Sequence, residues 1–438
     1  MYLRRLTLQN FRCYNNIEIG FREQLSVIIG TNGTGKTTIL EAAAIALGTM
    51  FVGMDKINGR NIDKNSDALR KTFTIGDTVD VQKQYPVEIT AFGTFGNMDL
   101  EWRRRLNGSK GNTTIKDAKL LTNFGYELQK RVREGDESCA LPLIAYYGTG
   151  RLWDYHRQKK YDVHISNSRL NGYLDCLDGT ANIKLMLDWF KKMTIEKYQR
   201  QEEKLHPNVA LDVVYSAMEK CFELATGFKD IKIRYNLKTY ELDVYYTDGE
   251  RKVIPLNQLS DGYKGTISLI ADIAYRMAIL NPQLGKEILK KCDGIVLIDE
   301  VDLHLHPEWQ QRILKDLINI FPKLQFIVTT HAPAVVNTVK RDSLIMLNDA
   351  EYTLPNIEVY GKDVNSVLSG VMNSSERPIE IKELFLDFYN MLDENNLCGA
   401  KNILCKLRDI IGEDDPEYIS CLVKLDLEFF LEDDNDKN

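Results

Sequence analysis

The octapeptide Gly30-Thr-Asn-Gly-Thr-Gly-Lys-Thr37 carries the spacing G-x-x-x-x-G-K-[ST]. Glycines so placed let backbone N–H groups curl around phosphate oxygens, and a helix starting at their end adds positive potential. Lys36 then reaches the outer phosphates of a polyphosphate, and the Thr37 hydroxyl serves Mg2+. A second string, Gly294-Ile-Val-Leu-Ile-Asp-Glu300, runs four apolar residues into two carboxylates. Asp299 suits the magnesium, directly or through water, and Glu300 suits a general base that orients a water toward the last phosphate. An Asp-Glu pair after a strand is a weak sign alone; beside the phosphate loop it becomes a strong one. Leu259-Ser-Asp-Gly-Tyr-Lys-Gly265 opens an apolar helix over 266–278, so Ser260 and Gly262 stand where a helix N-terminus favours an anion, although an ordinary cap reads the same. His331 follows another apolar strand, 32 residues beyond Asp299. His304 and His306 are two apart and admit a metal, but next to a phosphate site the shaping of a turn is the stronger reading.

These side chains meet only if short buried strands end beside the phosphate loop. The runs 25–29, 141–147, 294–298 and 325–329 are apolar and β-branched, as strands covered on both faces should be, and 37–47 reads as a helix. Residues 3–8 alternate and can pair with 17–21, while 86–92 and 98–105 read as an antiparallel hairpin. The stretch 49–85 looks irregular. Helical spacing recurs at 184–190, 209–224 and 307–320, with a hairpin at 231–235 and 242–246. Three helices are expected at 378–394, 397–411 and 416–432, the last capped by Asp415 with Pro416 at its first position, ahead of an acidic solvated tail.

Composition sets outer bounds. The chain has 438 residues and a net charge of −7, with 44% hydrophobic and 27% charged residues, which fits an ordinary globular protein. The acidic balance argues against a uniformly basic surface for nucleic acid but leaves room for a local patch. Arg103 to Arg105 beside Trp102, and Arg131 with Arg133, are candidates for phosphate contact or, equally, for a solvated strand edge. Eight scattered cysteines without a C-x-x-C pair read as reduced thiols, mostly in the core. No apolar run reaches the roughly 18 residues that span a bilayer, and the first residues lack the apolar stretch of a signal peptide, so a cytoplasmic protein without a membrane partner is expected.

Together these strings resemble the RecF, SMC and OLD branch of the ABC-type ATPases. Leu8-Gln-Asn-Phe-Arg12, the phosphate loop (Walker A), the Leu-Ser-Asp-Gly signature and Asp299-Glu-Val-Asp-Leu-His-Leu-His-Pro307 carry the resemblance, anchoring 1–50 and 255–345. It implies an α/β fold, the ABC-type P-loop NTPase, with a mixed central sheet, an antiparallel β subdomain, a helical insertion and C-terminal helices. The lobes expected are 1–160 with Walker A, an insertion at 161–230, 231–350 with signature, Walker B, D-loop and switch histidine, and a helical module at 351–438. ATP and Mg2+ are the implied cofactors. Arg12, Asn32, Gly33, Thr34, Gly35, Lys36, Thr37, Thr38, Ser260 and Gly262 would bind ATP, and Thr37 and Asp299 the metal. Glu300 and His331 would act in catalysis, and Asp302 at the interface of an ATP-sandwich homodimer, or a higher oligomer, in which Ser260 meets the γ-phosphate held by the other copy.

The signature departs from the family pattern at Asp261 and Tyr263, and the glutamine expected after 141–147 is missing, with Tyr147 in its place. Within the branch, 146–153 and 168–177 look like the stand-alone ATPases of bacterial anti-phage systems, such as the Septu ATPase, which partners an HNH nuclease. Only about 110 residues separate Arg151 from the signature, without heptads, so no long coiled coil intervenes. The last hundred residues lack the metal carboxylates of a Toprim nuclease. The expected role is therefore the regulatory ATPase of a defence complex that controls a partner nuclease. A RecF-like repair ATPase that clamps DNA is the alternative, and a transporter's nucleotide-binding subunit fits least.

Overall fold

Four successive residues, Ser26 to Ile29, are buried in the strand Leu25–Gly30, because the chain covers both of its faces. Leu143–Tyr147, Gly294–Ile298 and Leu324–Thr329 are buried along their whole lengths. In the computed structural model, which describes residues 1–152, 168–179, 183–348, 351–353, 355–372, 375 and 377–435, these strands form one six-stranded sheet. Its order is Glu351–Thr353, Leu344–Asn348, Leu25–Gly30, Leu324–Thr329, Gly294–Ile298, Leu143–Tyr147, and only the first strand runs antiparallel. Gly30, Thr329, Ile298 and Tyr147 thus end at the same edge, the carboxyl edge where open α/β sheets bind ligands. Trp153, in the 146–153 string, lies outside the described residues.

The helix Lys36–Leu47 starts at that edge and packs against both the parallel sheet and an antiparallel sheet of order Tyr14–Gly20, Tyr2–Phe11, Val87–Phe95, Met98–Leu106. Ala42 to Leu47 are essentially inaccessible, and the Trp102 indole donates to the Ala46 carbonyl at 2.9 Å. With the turn Gly48–Gly53, this helix is the one stretch among the described residues apolar and long enough to cross a membrane. The sequence reading passed over it; its burial makes it a core helix.

Other expectations change. The stretch 49–85 holds a hairpin, Arg70–Ile75 with Thr78–Lys83, whose Phe73, Val79 and Val81 are exposed, so burial leaves no alternation to read. A helix, Lys119–Arg133, was not anticipated. The hairpin after the helices Ile183–Glu202 and Ala210–Thr226 gains a third strand, giving Lys229–Asn236, Glu241–Asp248 and Glu250–Pro255. The 307–320 helix is two pieces, Pro307–Gln310 and Ile313–Ile320. The last helix, Pro416–Asn435, takes in most of the expected tail.

Met1–Val364 and Asn365–Asn438 form two compact units. The second contains Ile379–Asp393, Leu397–Ile411 and Pro416–Asn435 around Phe385, Phe388, Leu404, Leu407, Cys421 and Leu425. Asp415 Oδ1 accepts the Glu417 and Tyr418 N–H groups at 3.0 and 3.1 Å, the cap expected of Asp-Pro, and both Asp415 oxygens take Arg377 at 2.9 Å.

Helix Lys119–Arg133 touches the turn Gly48–Gly53 backbone to backbone. A methyl on Gly125 would sit 2.0 Å from the Met50 carbonyl oxygen, and one on Gly53 2.1 Å from that of Thr122. Alanine in a free helix would gain about 1 kcal/mol over glycine. Here the clash with main chain outweighs that gain, since overpacking costs about 1–3 kcal/mol and the carbonyl cannot swing away. Gly125→Ala is expected to lower the denaturant midpoint, read by circular dichroism; an unchanged or raised midpoint contradicts this packing.

Candidate nucleotide site

The phosphate loop is pinned before any ligand arrives. Gly33 and Gly35 adopt φ of +87° and +92°, and a methyl on Gly35 would meet the Tyr14 hydroxyl at 2.5 Å. Tyr14, after the first strand, donates to the Thr34 carbonyl at 2.6 Å, so the antiparallel sheet holds the loop from outside. Thr34 Oγ1 donates to the Thr31 carbonyl at 2.9 Å, while Asn32 and Gly33 stand exposed at the rim and Thr38 is buried in the helix. Lys36 is buried and its ammonium donates to the Gly30 and Thr31 carbonyls, both at 2.9 Å, inside the loop it would share with phosphates.

Two strand ends supply the carboxylates. Asp299 is buried and accepts from Thr37 Oγ1 at 2.8 Å on one oxygen and from Thr329 Oγ1 at 2.6 Å on the other. Thr329 Oγ1 also accepts the Glu300 N–H at 2.7 Å, which helps hold Glu300 in a left-handed conformation, φ +48°. The next threonine, Thr330, donates to Asp302 Oδ1 at 2.5 Å and accepts the Ala332 N–H at 3.0 Å. His331 lies between these threonine contacts and is half-buried. Burial, then the Lys36 charge, hold its imidazole below the usual histidine range, so it stays neutral near pH 7. Burial also lowers the Lys36 ammonium, against the pull of Asp299, Glu300 and Asp302. Lys36, Thr37, Asp299, Glu300, Asp302 and His331 thus share one site. Thr329 and Thr330, which order it, were missed in the sequence; a threonine at a strand end carries no signal until its neighbours are known.

The signature stands differently. Ser260 is exposed and begins the helix Asp261–Leu280, and a methyl on Gly262 would meet the His304 carbonyl oxygen at 2.7 Å. The signature therefore packs on the turn at His304 of its own chain, and among the described residues no hydrogen bond joins it to the phosphate loop. The departures have local causes. Tyr263 packs edge-on to Trp309 at 4.1 Å, and Asp261 pairs with Lys264 at 2.7 Å. His304 is left-handed at φ +61°, and the His306 carbonyl starts the helix Pro307–Gln310. No cluster of three or more His, Cys, Asp or Glu residues suited to a metal occurs among the described residues.

Arg12 sits at φ +52°, with Nε on Asp67 at 2.8 Å and the guanidinium also on Glu41 of the phosphate-loop helix. A nucleotide would have to draw it from both carboxylates. The basic runs are likewise engaged: Arg103 with Glu88 and Asp117, Arg105 with Glu88, Arg131 with Asp136, Arg133 with Asp55. Arg104 is not a surface residue at all. It is wholly buried on the carbonyl of Thr114 and the side chains of Thr49 and Asn61, a correction to both readings of that run.

Residues 5–211 match a family model described as an AAA domain, and 151–337 match a second AAA-domain model whose suggested members are AbiEii toxins of type IV toxin–antitoxin systems. The chain carries AAA-family ATPase domains. The chain is 27% identical over 433 residues to "Retron Vc95 probable ATPase" of Vibrio cholerae, covering 88% of itself and 81% of that protein. It is 25% identical to "Retron Ec83 probable ATPase" of Escherichia coli, over 98% of itself and 88% of the other. To the Septu protein PtuA of Bacillus thuringiensis it is 27% identical over 90% of each chain, so the expected likeness to Septu ATPases is met along most of its length.

Thr329→Val removes the hydroxyl that joins Asp299 to the Glu300 N–H. An unmade buried hydrogen bond costs about 1–3 kcal/mol. A lower melting temperature and slower ATP turnover are expected, with Thr329→Ser near wild type. Equal behaviour of the valine and serine variants contradicts the assignment.

Proposed function

We propose that this ATPase binds MgATP at Lys36, Thr37 and Asp299, closes on a second copy of itself, and hydrolyses the ATP. The observation that carries the reading is the hydrogen-bonded set Thr37–Asp299–Thr329–Glu300, which gathers a phosphate loop, a buried carboxylate and a second carboxylate at one sheet edge. Thr37 and Asp299 offer hard oxygens 2.8 Å apart, a donor set that suits magnesium, which keeps waters and phosphate oxygens for its remaining positions. When bound, the ion would neutralise charge on the β- and γ-phosphates. Lys36 supplies the cation inside the loop. Glu300 accepts the proton of the attacking water as the water oxygen bonds the γ-phosphorus and the bond to ADP breaks. His331, with its pKa lowered by burial and by the Lys36 charge, would donate a hydrogen bond to the γ-phosphate.

The exposure of Ser260, away from its own phosphate loop in hydrogen bonding, supports a role toward another copy. Likeness to retron and Septu proteins supports a place in an anti-phage defence complex, with nucleotide state controlling a partner nuclease such as an HNH protein. The RecF-like DNA clamp draws less support, since Arg103, Arg105, Arg131 and Arg133 already hold carboxylates of their own chain and Arg104 is buried.

Glu300→Gln keeps the size of the side chain but cannot take a proton. General-base catalysis contributes about 10²- to 10⁴-fold, so turnover should fall at least about a hundredfold while nucleotide affinity holds. Light scattering should show an ATP-bound dimer that persists in the variant and dissociates in wild type. Wild-type turnover in the variant would remove Glu300 as the base.

A further inference from the structure

Tyr147 stands where the resemblance expects a glutamine, and its two ends touch two different parts of the site. Its backbone carbonyl accepts the Asp299 N–H at 2.8 Å, at the point where Gly294–Ile298 gives way to the acidic turn. Its ring is buried, and its hydroxyl donates to Asp272 Oδ2 at 2.7 Å. Asp272 belongs to the signature helix Asp261–Leu280, about 18 Å along the axis from Ser260 at the helical rise. The same carboxylate oxygen takes Arg276 Nε at 2.6 Å, and Arg276 reaches the carbonyls of Gly172 and Leu174 at 3.0 and 2.8 Å. Tyr147, Asp272 and Arg276 are all buried, so no bulk water can replace a bond that breaks.

The other end of the helix is tied as well. Gly262 lies so close to the His304 carbonyl that a methyl would sit 2.7 Å away. The helix is therefore fastened to the acidic segment twice, through Tyr147 at Asp299 and through Gly262 at His304. We infer that Tyr147 is a positioning residue that makes the signature helix and the 299–304 segment move as one body. A change at Asp299 when nucleotide binds is then carried to Ser260 of the same chain, whose target is the opposite copy's nucleotide. The inference rests on the ATPase reading above and adds to it the route by which one composite site senses the other.

Tyr147→Phe deletes one oxygen and keeps the ring. Turnover and the affinity for a fluorescent ATP analogue are measured for wild type, Tyr147→Phe and Lys36→Ala. The expected result is affinity within about twofold of wild type and kcat lower by about tenfold, the range over which coupling residues act. A kcat within twofold of wild type overturns the inference, and so does a parallel fall in affinity and kcat, which would mark general loosening. Turnover that Lys36→Ala leaves unchanged would instead refute the ATPase reading. Should Tyr147→Phe fail to fold, hydrogen–deuterium exchange on Ser260→Arg protein decides, since an arginine there should block closure on a partner while leaving the chain's own phosphate loop intact. MgATP must then slow exchange in 266–276 as well as in 299–304; slowing confined to 299–304 overturns the inference.

Discussion

The carboxylate of Asp299 is the point on which the site depends. It is a buried acid, and a buried charge is tolerated only when hydrogen bonds or opposite charge replace its water. Two threonine hydroxyls do so, one from the phosphate-loop helix and one from the neighbouring strand. Because they come from different elements, the loop, the acidic turn and the strand before His331 are registered to each other through one side chain. Glu300 is placed in the same stroke, its N–H on the hydroxyl that serves Asp299.

The fold brings these groups together by direction and by covering. Parallel strands end together, so Gly30, Ile298, Thr329 and Tyr147 reach a common edge. The phosphate-loop helix is anchored between two sheets, with Trp102 bonded to its last turn and Tyr14 bonded to the loop at its start. A loop held at both ends suits the proposed phosphate binding, since its N–H groups would need little reorganisation to face an anion. Among the described residues the signature helix makes no hydrogen bond to that loop, and its ties run to the turn at His304 and to Tyr147.

Much of this was legible in the sequence, for a physical reason. Gly30 to Thr37 and Gly294 to Glu300 are local strings whose residue types answer a local demand: left-handed turns, a cation, a strand that must be apolar on both faces. What escaped depends on neighbours distant in sequence. Thr329 gains its role only when Asp299 lies beside it. Arg12 offered a family role, and its carboxylates lie 29 and 55 residues downstream, at Glu41 and Asp67. Arg104 is the instructive miss, since the signal was present. Leu100, Trp102, Arg104 and Leu106 occupy alternate positions of Met98–Leu106, and the period of two places the arginine on the buried face with the others. Charge was read where periodicity should have been. The strand Glu250–Pro255 was hidden by the reverse effect, for its four leading residues are exposed and show no buried face.

The proposed hydrolysis requires a composite site, in which the phosphates held by one chain are completed by the signature of another. Electron microscopy of the Glu300→Gln protein with MgATP tests it most directly. The expected density shows two chains, each γ-phosphate lying between Lys36 of one and Ser260 of the other. A γ-phosphate enclosed by residues of a single chain, with Ser260 of every copy turned to solvent, would contradict it.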